Sequence, residues 1–384
     1  MSGYFPILRQ RVRKRTFHSL FLFVTSRCNS LCRTCFYFDK LNSKDDLSFD
    51  QIRKISETAP PFEKLWLSGG EPFLRDELPE IVALFARNNR VANVNLPTNG
   101  LLRERIFRSI DRMLAAAPGV SIDLNFSLDG LANTHDAIRG VPNNFRRTLE
   151  TIRETEKRYS NVRRLRRNVL TVITRENYNE IVELGLRLAG ENLSGHYFEI
   201  VRGETPDAEL KRLRRDDVAA LHRRLMPFHR HYARKLFAHL PPGARQFATM
   251  YYLGNLRLHF DLHESCLEQP RKWPMPCTAG ETTIVIDHNG RFRACEMRGI
   301  VGNLADFDFD IPKAMTSSAM RDEVDAIREA NCWCTHSCFI QESSKFSPRV
   351  QLFTIPWAWL RQRWRKLPQM PLGDIERFRA LETT

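Results

Sequence analysis

Cys28, Cys32 and Cys35 lie in the stretch CNSLCRTCFYF, directly after the apolar run LFLFV. Three thiols this close are a metal or redox signature rather than a packing one. A structural zinc site wants four ligands; the loop supplies three, and His18 would sit at the far end of the preceding strand. A thioredoxin-like pair, Cys32 with Cys35, belongs at a helix start and has no use for a third thiol in register. An iron–sulfur cubane held by three thiolates instead leaves one iron open to a substrate or cofactor. Five more thiols, Cys277, Cys295, Cys332, Cys334 and Cys338, gather near the back, while Cys266 stands apart and reads as a small buried residue.

The rest of the chain must bring those groups together. Its composition is 42% hydrophobic and 27% charged over 384 residues, enough for one large domain and a smaller appendix. No apolar stretch reaches the roughly 18 to 20 residues that cross a bilayer, and the first residues lack the core of a signal peptide, so a cytoplasmic location is expected. Thiols stay reduced there, which argues against a disulfide framework.

Across residues 18–205 short β-branched or aromatic runs alternate with amphipathic stretches, the pattern of βα units around a parallel sheet. The expected strands are 20–25, 64–68, 92–97, 121–128, 168–174 and 196–201, with helices at 48–59, capped by Ser48, and at 143–159. This is a partial (β/α)6 TIM-like barrel. Groups at the carboxyl ends of such strands converge over one mouth. The first strand leads into the cysteines, the second into SGGEP (68–72), the third into TNG (98–100), and the fourth ends in SLDG (127–130). Residues 206–265 read as a basic helical connector broken at PPG (241–243), residues 266–345 as a small Cys-rich α+β module, and 346–384 as an aromatic and basic tail.

The loop C-N-S-L-C-R-T-C, followed in order by SGGEP, TNG and SLDG, resembles the C-x3-C-x2-C signature of the radical S-adenosylmethionine (radical SAM) superfamily. The resemblance spans roughly residues 18–205. It implies a 4Fe-4S cluster on Cys28, Cys32 and Cys35 whose open iron chelates S-adenosylmethionine and cleaves it to a 5′-deoxyadenosyl radical. By the same resemblance, Gly69 and Gly70 allow close approach to the methionine moiety, Glu71 accepts from its ammonium, and Thr98, Ser127 and Asp129 suit its carboxylate or the ribose hydroxyls. Arg139 reads either as a further contact or as an ordinary surface residue. Many relatives carry an aromatic residue just before the third cysteine where this chain has Thr34, so Phe36 or Tyr37 is expected against the adenine.

The rear stretch CTAGETTIVIDHNGRFRAC reads C-x12-G-x4-C from Cys277 through Gly290 to Cys295, and resembles the opening of the auxiliary-cluster module called SPASM, or Twitch when shortened. Its two runs alternate like strands around the turn HNG (288–290), which would bring Cys277 and Cys295 together. CWCTHSC (332–338) follows, and nothing after Cys338 supplies another thiol. One complete second cluster is therefore expected, most economically on Cys277, Cys295 and two of Cys332, Cys334 and Cys338. A zinc ribbon from the same thiols is the alternative.

The resemblance implies an enzyme that abstracts a hydrogen atom from a peptide or small molecule, lipid- or sugar-linked ones among them, and takes electrons from a donor such as flavodoxin or ferredoxin. The residue that quenches the product radical is left open, with Cys266, Glu199 and Arg202 as candidates. The formal charge of +14 invites an anionic partner. Its basic clusters, at 9–15, 163–167, 211–215 and 361–366, read first as solvated faces. They are not interleaved with aromatics as base-stacking platforms are, so an RNA-modifying role stands second and nucleic acid is not the expected partner. A non-catalytic iron–sulfur sensor stands third. The tail FTIPWAWLRQRWRK suits either peripheral membrane contact or packing on the barrel mouth.

Overall fold

The computed structural model describes residues 16–268 and 273–364. Its first six strands are β1 (Ser19–Phe23), β2 (Lys64–Ser68), β3 (Asn93–Thr98), β4 (Ser121–Ser127), β5 (Leu165–Ile173) and β6 (Gly195–Ile200). They run parallel in the order β6-β5-β4-β3-β2-β1, the partial barrel expected from the alternating pattern. Helices connect them on the outside. The first, Phe49–Thr58, starts at Ser48, whose hydroxyl accepts from the Gln51 amide while the Gln51 side chain accepts from the Ser48 amide.

The period of two sorts each strand into two faces. Val94, Leu96, Ile122, Leu124 and Val169 are buried in the core, whereas Asn93, Asn95, Asp123, Asn125, Arg166 and Asn168 line the inside of the barrel. Asn125 Nδ2 donates to Asn95 Oδ1 and Asn168 Nδ2 to Asn125 Oδ1, each at 3.1 Å, tying β3, β4 and β5 across their inner surface. Layers of branched aliphatic residues fill an ordinary closed barrel. Here the inward positions of β3, β4 and β5 carry polar side chains and border a cavity.

The rear module is not a separate body beside the barrel. Strand β7 (Thr283–Ile286) pairs parallel to β1, with Ser19 opposite Thr283, and β8 (Arg291–Arg293) and β9 (Gly302–Asn303) add antiparallel to it, so that one sheet of nine strands runs through both. All four residues of β7 are buried, and they cover what would otherwise be the bare edge of β1. The β7–β8 hairpin is the one anticipated around HNG, and its tight turn places Gly290 at φ +83°.

The connector forms two long helices, Arg215–Leu236 and Pro242–Glu268, separated at the prolines as expected. The second continues through Cys266 and contributes Tyr251, Asn255, His259 and His263 to the cavity wall, and helix Ser337–Lys345 adds Cys338, Gln341 and Lys345. Helix Ile355–Trp364 packs along Pro242–Glu268 rather than on the mouth: a Cβ on Gly254 would lie 2.4 Å from the Ile355 carbonyl, and Arg361 pairs with Asp261 at 3.3 Å. Leu352, Phe353 and Trp357 stay exposed there. The remainder of the tail, 365–384, and the basic run at 9–15 lie outside the described residues. No helix among the described residues is long and apolar enough to cross a membrane.

The connector and the inner strands bury several histidines. Burial lowers His229 to about 3 and His259 to about 4. Both fall below the unfolded value of 6.5, so between pH 6.5 and 4 the unfolded chain binds more protons and stability drops as pH drops. Each such ring is expected to cost about 1 kcal/mol between pH 6.5 and 5.5. Urea unfolding at the two pH values reads this; an unchanged midpoint would show that these rings are hydrated in the folded state.

Candidate active site

The loop after β1 is held from three directions. Asp46 accepts from Thr25 Oγ1 at 2.6 Å and from the Ser26 amide at 2.8 Å. Asn42 accepts from the Cys28 amide at 3.0 Å. From the neighbouring unit, Gly70 N donates to Thr25 O and Glu71 N to Arg27 O, both at 2.8 Å. The two glycines are needed for that approach: a Cβ would lie 2.3 Å from the Thr25 oxygen at Gly69 and 2.2 Å from the Arg27 oxygen at Gly70, and Gly69 has φ +141°. Their first physical role is thus to let SGGEP dock under the cysteine loop, and both also line the cavity.

Glu71 is 1% exposed. Its Oε2 accepts from the Asn99 amide at 2.7 Å and its Oε1 from the Phe73 amide at 3.3 Å. Burial nevertheless pushes its carboxyl up to about 7, against those two donors. Asn99, which the motif reading passed over in favour of Thr98, donates from Nδ2 to Asn29 Oδ1 at 2.7 Å and so ties TNG to the cysteine loop. Thr98 is buried beside Glu71, and Ser127 is half-buried on the cavity wall.

Asp129 and Arg139 form a pair. Asp129 is fully buried, accepts from the Val172 amide at 2.9 Å and meets Arg139 Nη2 at 2.6 Å. Its carboxylate is thereby committed to positioning, and the cavity lining includes Arg139 rather than Asp129. Arg139 is no surface residue: Nη1 donates towards Cys32 Sγ at 3.7 Å. Burial opposes its charge, but Asp129 and then Cys32 outweigh that and raise its pKa.

Tyr37 is 3% exposed and its hydroxyl bonds His288 Nδ1 at 2.6 Å. The expectation that Tyr37 stacks on adenine yields to this: the ring joins the cysteine loop to the β7–β8 turn, leaving Phe36 as the freer ring, with the Arg202 guanidinium 5.0 Å over it. His288 Nε2 also meets Ser43 Oγ at 2.8 Å, and its carbonyl accepts from the Leu47 amide at 2.6 Å. No local pattern marks His288 as an anchor, because its partners lie more than two hundred residues away.

The front loop, SGGEP, Thr98, Ser127 and Arg139 all face one cavity of about 780 Å³. Among the described residues no three His, Cys, Asp or Glu side chains are gathered closely enough to grip a single metal ion, so the fit of a polynuclear cluster rests on the donor set. Burial pushes the Cys28 thiol up to about 12 and Cys35 to about 11. These pockets therefore suit thiolates when cationic iron offsets the lost hydration.

At the rear, Cys277 and Cys295 are buried. Cys277 feels the charge of Cys332, Cys295 that of Cys334 and Cys277, and Cys334 that of Cys277 and Cys332. Those four interact through their charges. Cys266 is half-buried at the end of its helix, near Cys334. Cys338 does not share the set: its charged neighbours are Glu199, Arg202, Glu296 and Lys64. Glu199 and Arg202 pair at 2.8 Å, and Arg202 reaches Glu296, which also bonds His336. Burial opposes the charge on Glu296, yet His336 and Arg202 hold it down at about 2.

A parallel α/β barrel that offers three cysteines of one loop to a cavity bordered by polar strand residues, with a second cysteine group in the rear module, defines a class of iron–sulfur protein. Residues 22–188 match the family model described as the Radical SAM superfamily. That family works with a 4Fe-4S cluster and S-adenosylmethionine. The chain is 33% identical over 115 residues to a probable GTP 3′,8-cyclase of Methanococcus maripaludis, and 37% identical over 132 residues to the GTP 3′,8-cyclase of Edwardsiella ictaluri. These alignments cover 28% and 33% of this chain and 37% and 39% of those relatives, so the chain spans under two fifths of their length.

Two solved structures share the fold over most of the chain. One is SuiB of Streptococcus suis, with TM-score 0.56 and 15% identity, covering 89% of this chain and 77% of that one. The other is native anSMEcpe with bound AdoMet and Kp18Cys peptide, with TM-score 0.56 and 16% identity, covering 90% and 99%.

Proposed function

We propose that this chain binds S-adenosylmethionine at a cluster on Cys28, Cys32 and Cys35 and uses it to abstract a hydrogen atom from a peptide or small polar molecule in the barrel. The observation that carries this is the single cavity shared by the cysteine loop, Gly69–Glu71, Thr98, Ser127 and Arg139. With the cluster and S-adenosylmethionine bound, the cofactor supplies a 5′-deoxyadenosyl radical; the protein supplies position and a site closed to water.

Glu71 receives the ammonium of the methionine moiety, Arg139 steadies the cluster side of Cys32, and Phe36 offers its ring to the adenine. The Asn95–Asn125–Asn168 ladder gives donors and acceptors to a polar substrate, which suits a peptide amide better than an alkyl chain. Cys277, Cys295, Cys332 and Cys334 hold a second cluster, and a flavodoxin- or ferredoxin-type donor supplies electrons. The relatives named GTP 3′,8-cyclase match over only 115 and 132 residues, so they support the shared chemistry more than any one substrate.

Anaerobic incubation of reconstituted protein with S-adenosylmethionine and dithionite should release 5′-deoxyadenosine. Its absence would favour a sensor. Glu71 gives a finer test. Its carboxyl, raised to about 7, carries a folded-state cost of roughly 3 kcal/mol when ionised above that pH, which a bound ammonium offsets. S-adenosylmethionine should therefore bind more tightly as pH rises from 6 to 8, and Glu71→Gln should weaken binding at pH 8 by about 10- to 100-fold and flatten the pH dependence. Equilibrium dialysis on cluster-loaded protein reads both; a Gln variant matching the parent would remove Glu71 from this role.

A further inference from the structure

Cys277, Cys295, Cys332 and Cys334 feel one another's charge, whereas Cys338 feels that of other groups. Cys338 lies in the first turn of helix Ser337–Lys345 and lines the cavity shared with the cysteine loop. The charges around it belong to the barrel and its rim: Glu199, Arg202, Glu296 and Lys64. The next residue, Phe339, stacks on Phe21 at 5.3 Å, and Phe21 stacks on Trp66 at 5.0 Å.

Among the polar atoms of the cavity wall that lack a counterpart, two stand on the barrel strands β2 and β5. Trp66 is 9% exposed, and its Nε1–H meets no hydrogen-bond acceptor among the described residues. Asn168 is 1% exposed, and its Oδ1 meets no donor there. Both line the cavity. Buried groups of this kind are rare in folded proteins, and each costs on the order of 1–3 kcal/mol unless a ligand or water completes it. A polar molecule held by the indole N–H and the amide oxygen would lie in the space that the thiol faces.

On the reading above, we propose that Cys338 is a free thiol rather than a cluster ligand, and that it donates a hydrogen atom to the carbon radical formed on the substrate. The S–H bond breaks as the C–H bond forms, leaving a thiyl radical. One electron from the low-potential donor and one proton from solvent restore the thiol. Burial raises the pKa of Cys338, which keeps the S–H intact at neutral pH. Because the thiol stands on helix Ser337–Lys345 and the S-adenosylmethionine groups stand on the strand ends, hydrogen leaves and returns along different directions. The reaction class this fits is redox-neutral inversion of a C–H stereocentre in a polar substrate.

The test uses holoenzyme, Cys338→Ala, the nearly isosteric Cys338→Ser, and Cys334→Ala for comparison. Iron and sulfide per chain and the low-temperature EPR spectrum come first. Both Cys338 variants should match the parent, whereas Cys334→Ala should lose about half its iron. Loss of iron from the Cys338 variants makes that residue a ligand and overturns the proposal.

Each protein is then incubated in D2O with S-adenosylmethionine and dithionite alone, and the 5′-deoxyadenosine is weighed by mass spectrometry. With no substrate present, the exchangeable S–D of Cys338 is the donor facing the cavity. The parent product should carry deuterium and the products of both Cys338 variants should not. Undeuterated product from the parent, or equal deuterium in all, overturns the proposal. Absence of any 5′-deoxyadenosine from the parent overturns the reading beneath it, and the proposal with it, and is told apart from the other outcomes at once.

Discussion

Replacing Cys28, Cys32 and Cys35 together with Ala is expected to abolish formation of 5′-deoxyadenosine while the rear group keeps its own iron. The three thiols sit in one loop, and no other cysteine of the chain falls near them in sequence. Asp46, Asn42 and the SGGEP backbone fix that loop without using a sulfur atom. The variant should therefore fold, bind about half the parent's iron, and lose the spectral change that S-adenosylmethionine produces. Iron analysis and EPR with and without S-adenosylmethionine decide it. A full iron load with the response to S-adenosylmethionine intact would place the reactive cluster at the rear.

Gly70→Ala should nearly match that loss of function without touching a ligand. Its new Cβ would lie 2.2 Å from the Arg27 oxygen and 2.8 Å from the Ser26 oxygen, which are backbone atoms that no rotamer can move. Relief requires separating SGGEP from the cysteine loop and stretching the hydrogen bonds that the Gly70 and Glu71 amides donate, at a cost of about 1–3 kcal/mol or more. A lower urea midpoint together with weakened S-adenosylmethionine binding is the expected result. Gly299→Ala, where a Cβ meets nothing within 4 Å, is the control and should be neutral. Equal behaviour of the two variants would show that the loops are not in contact in solution.

The parts legible in the sequence were those with local signals. Runs such as NVLTVIT and SIDLNFSL alternate with helical stretches, and β-branching with period two located all six barrel strands to within a few residues. The cysteine loop and SGGEP were legible because three thiols, or two glycines before Glu-Pro, have few other uses. What escaped depended on distant partners. Asp129 looked like a ligand group and pairs with Arg139; Arg139 looked optional and is half-buried, reaching towards Cys32. Tyr37 was expected to be available for adenine, but His288 occupies its hydroxyl from across the chain. Spacing left Cys332, Cys334 and Cys338 indistinguishable, and the charged neighbours that set Cys338 apart, Glu199, Arg202, Glu296 and Lys64, come from distant parts of the chain. That β7 pairs with β1 had no signal beyond the apolarity of TIVI.

That last pairing bears on how the chain can be divided. A barrel cut off before residue 273 would expose the largely apolar strand SLFLF along one edge, with the amide and carbonyl groups that face β7 unpaired, a ready template for fibrillar or dimeric self-assembly. The auxiliary segment thus doubles as a guard against aggregation, and catalytic studies or engineered fusions are better built on a polypeptide that retains it.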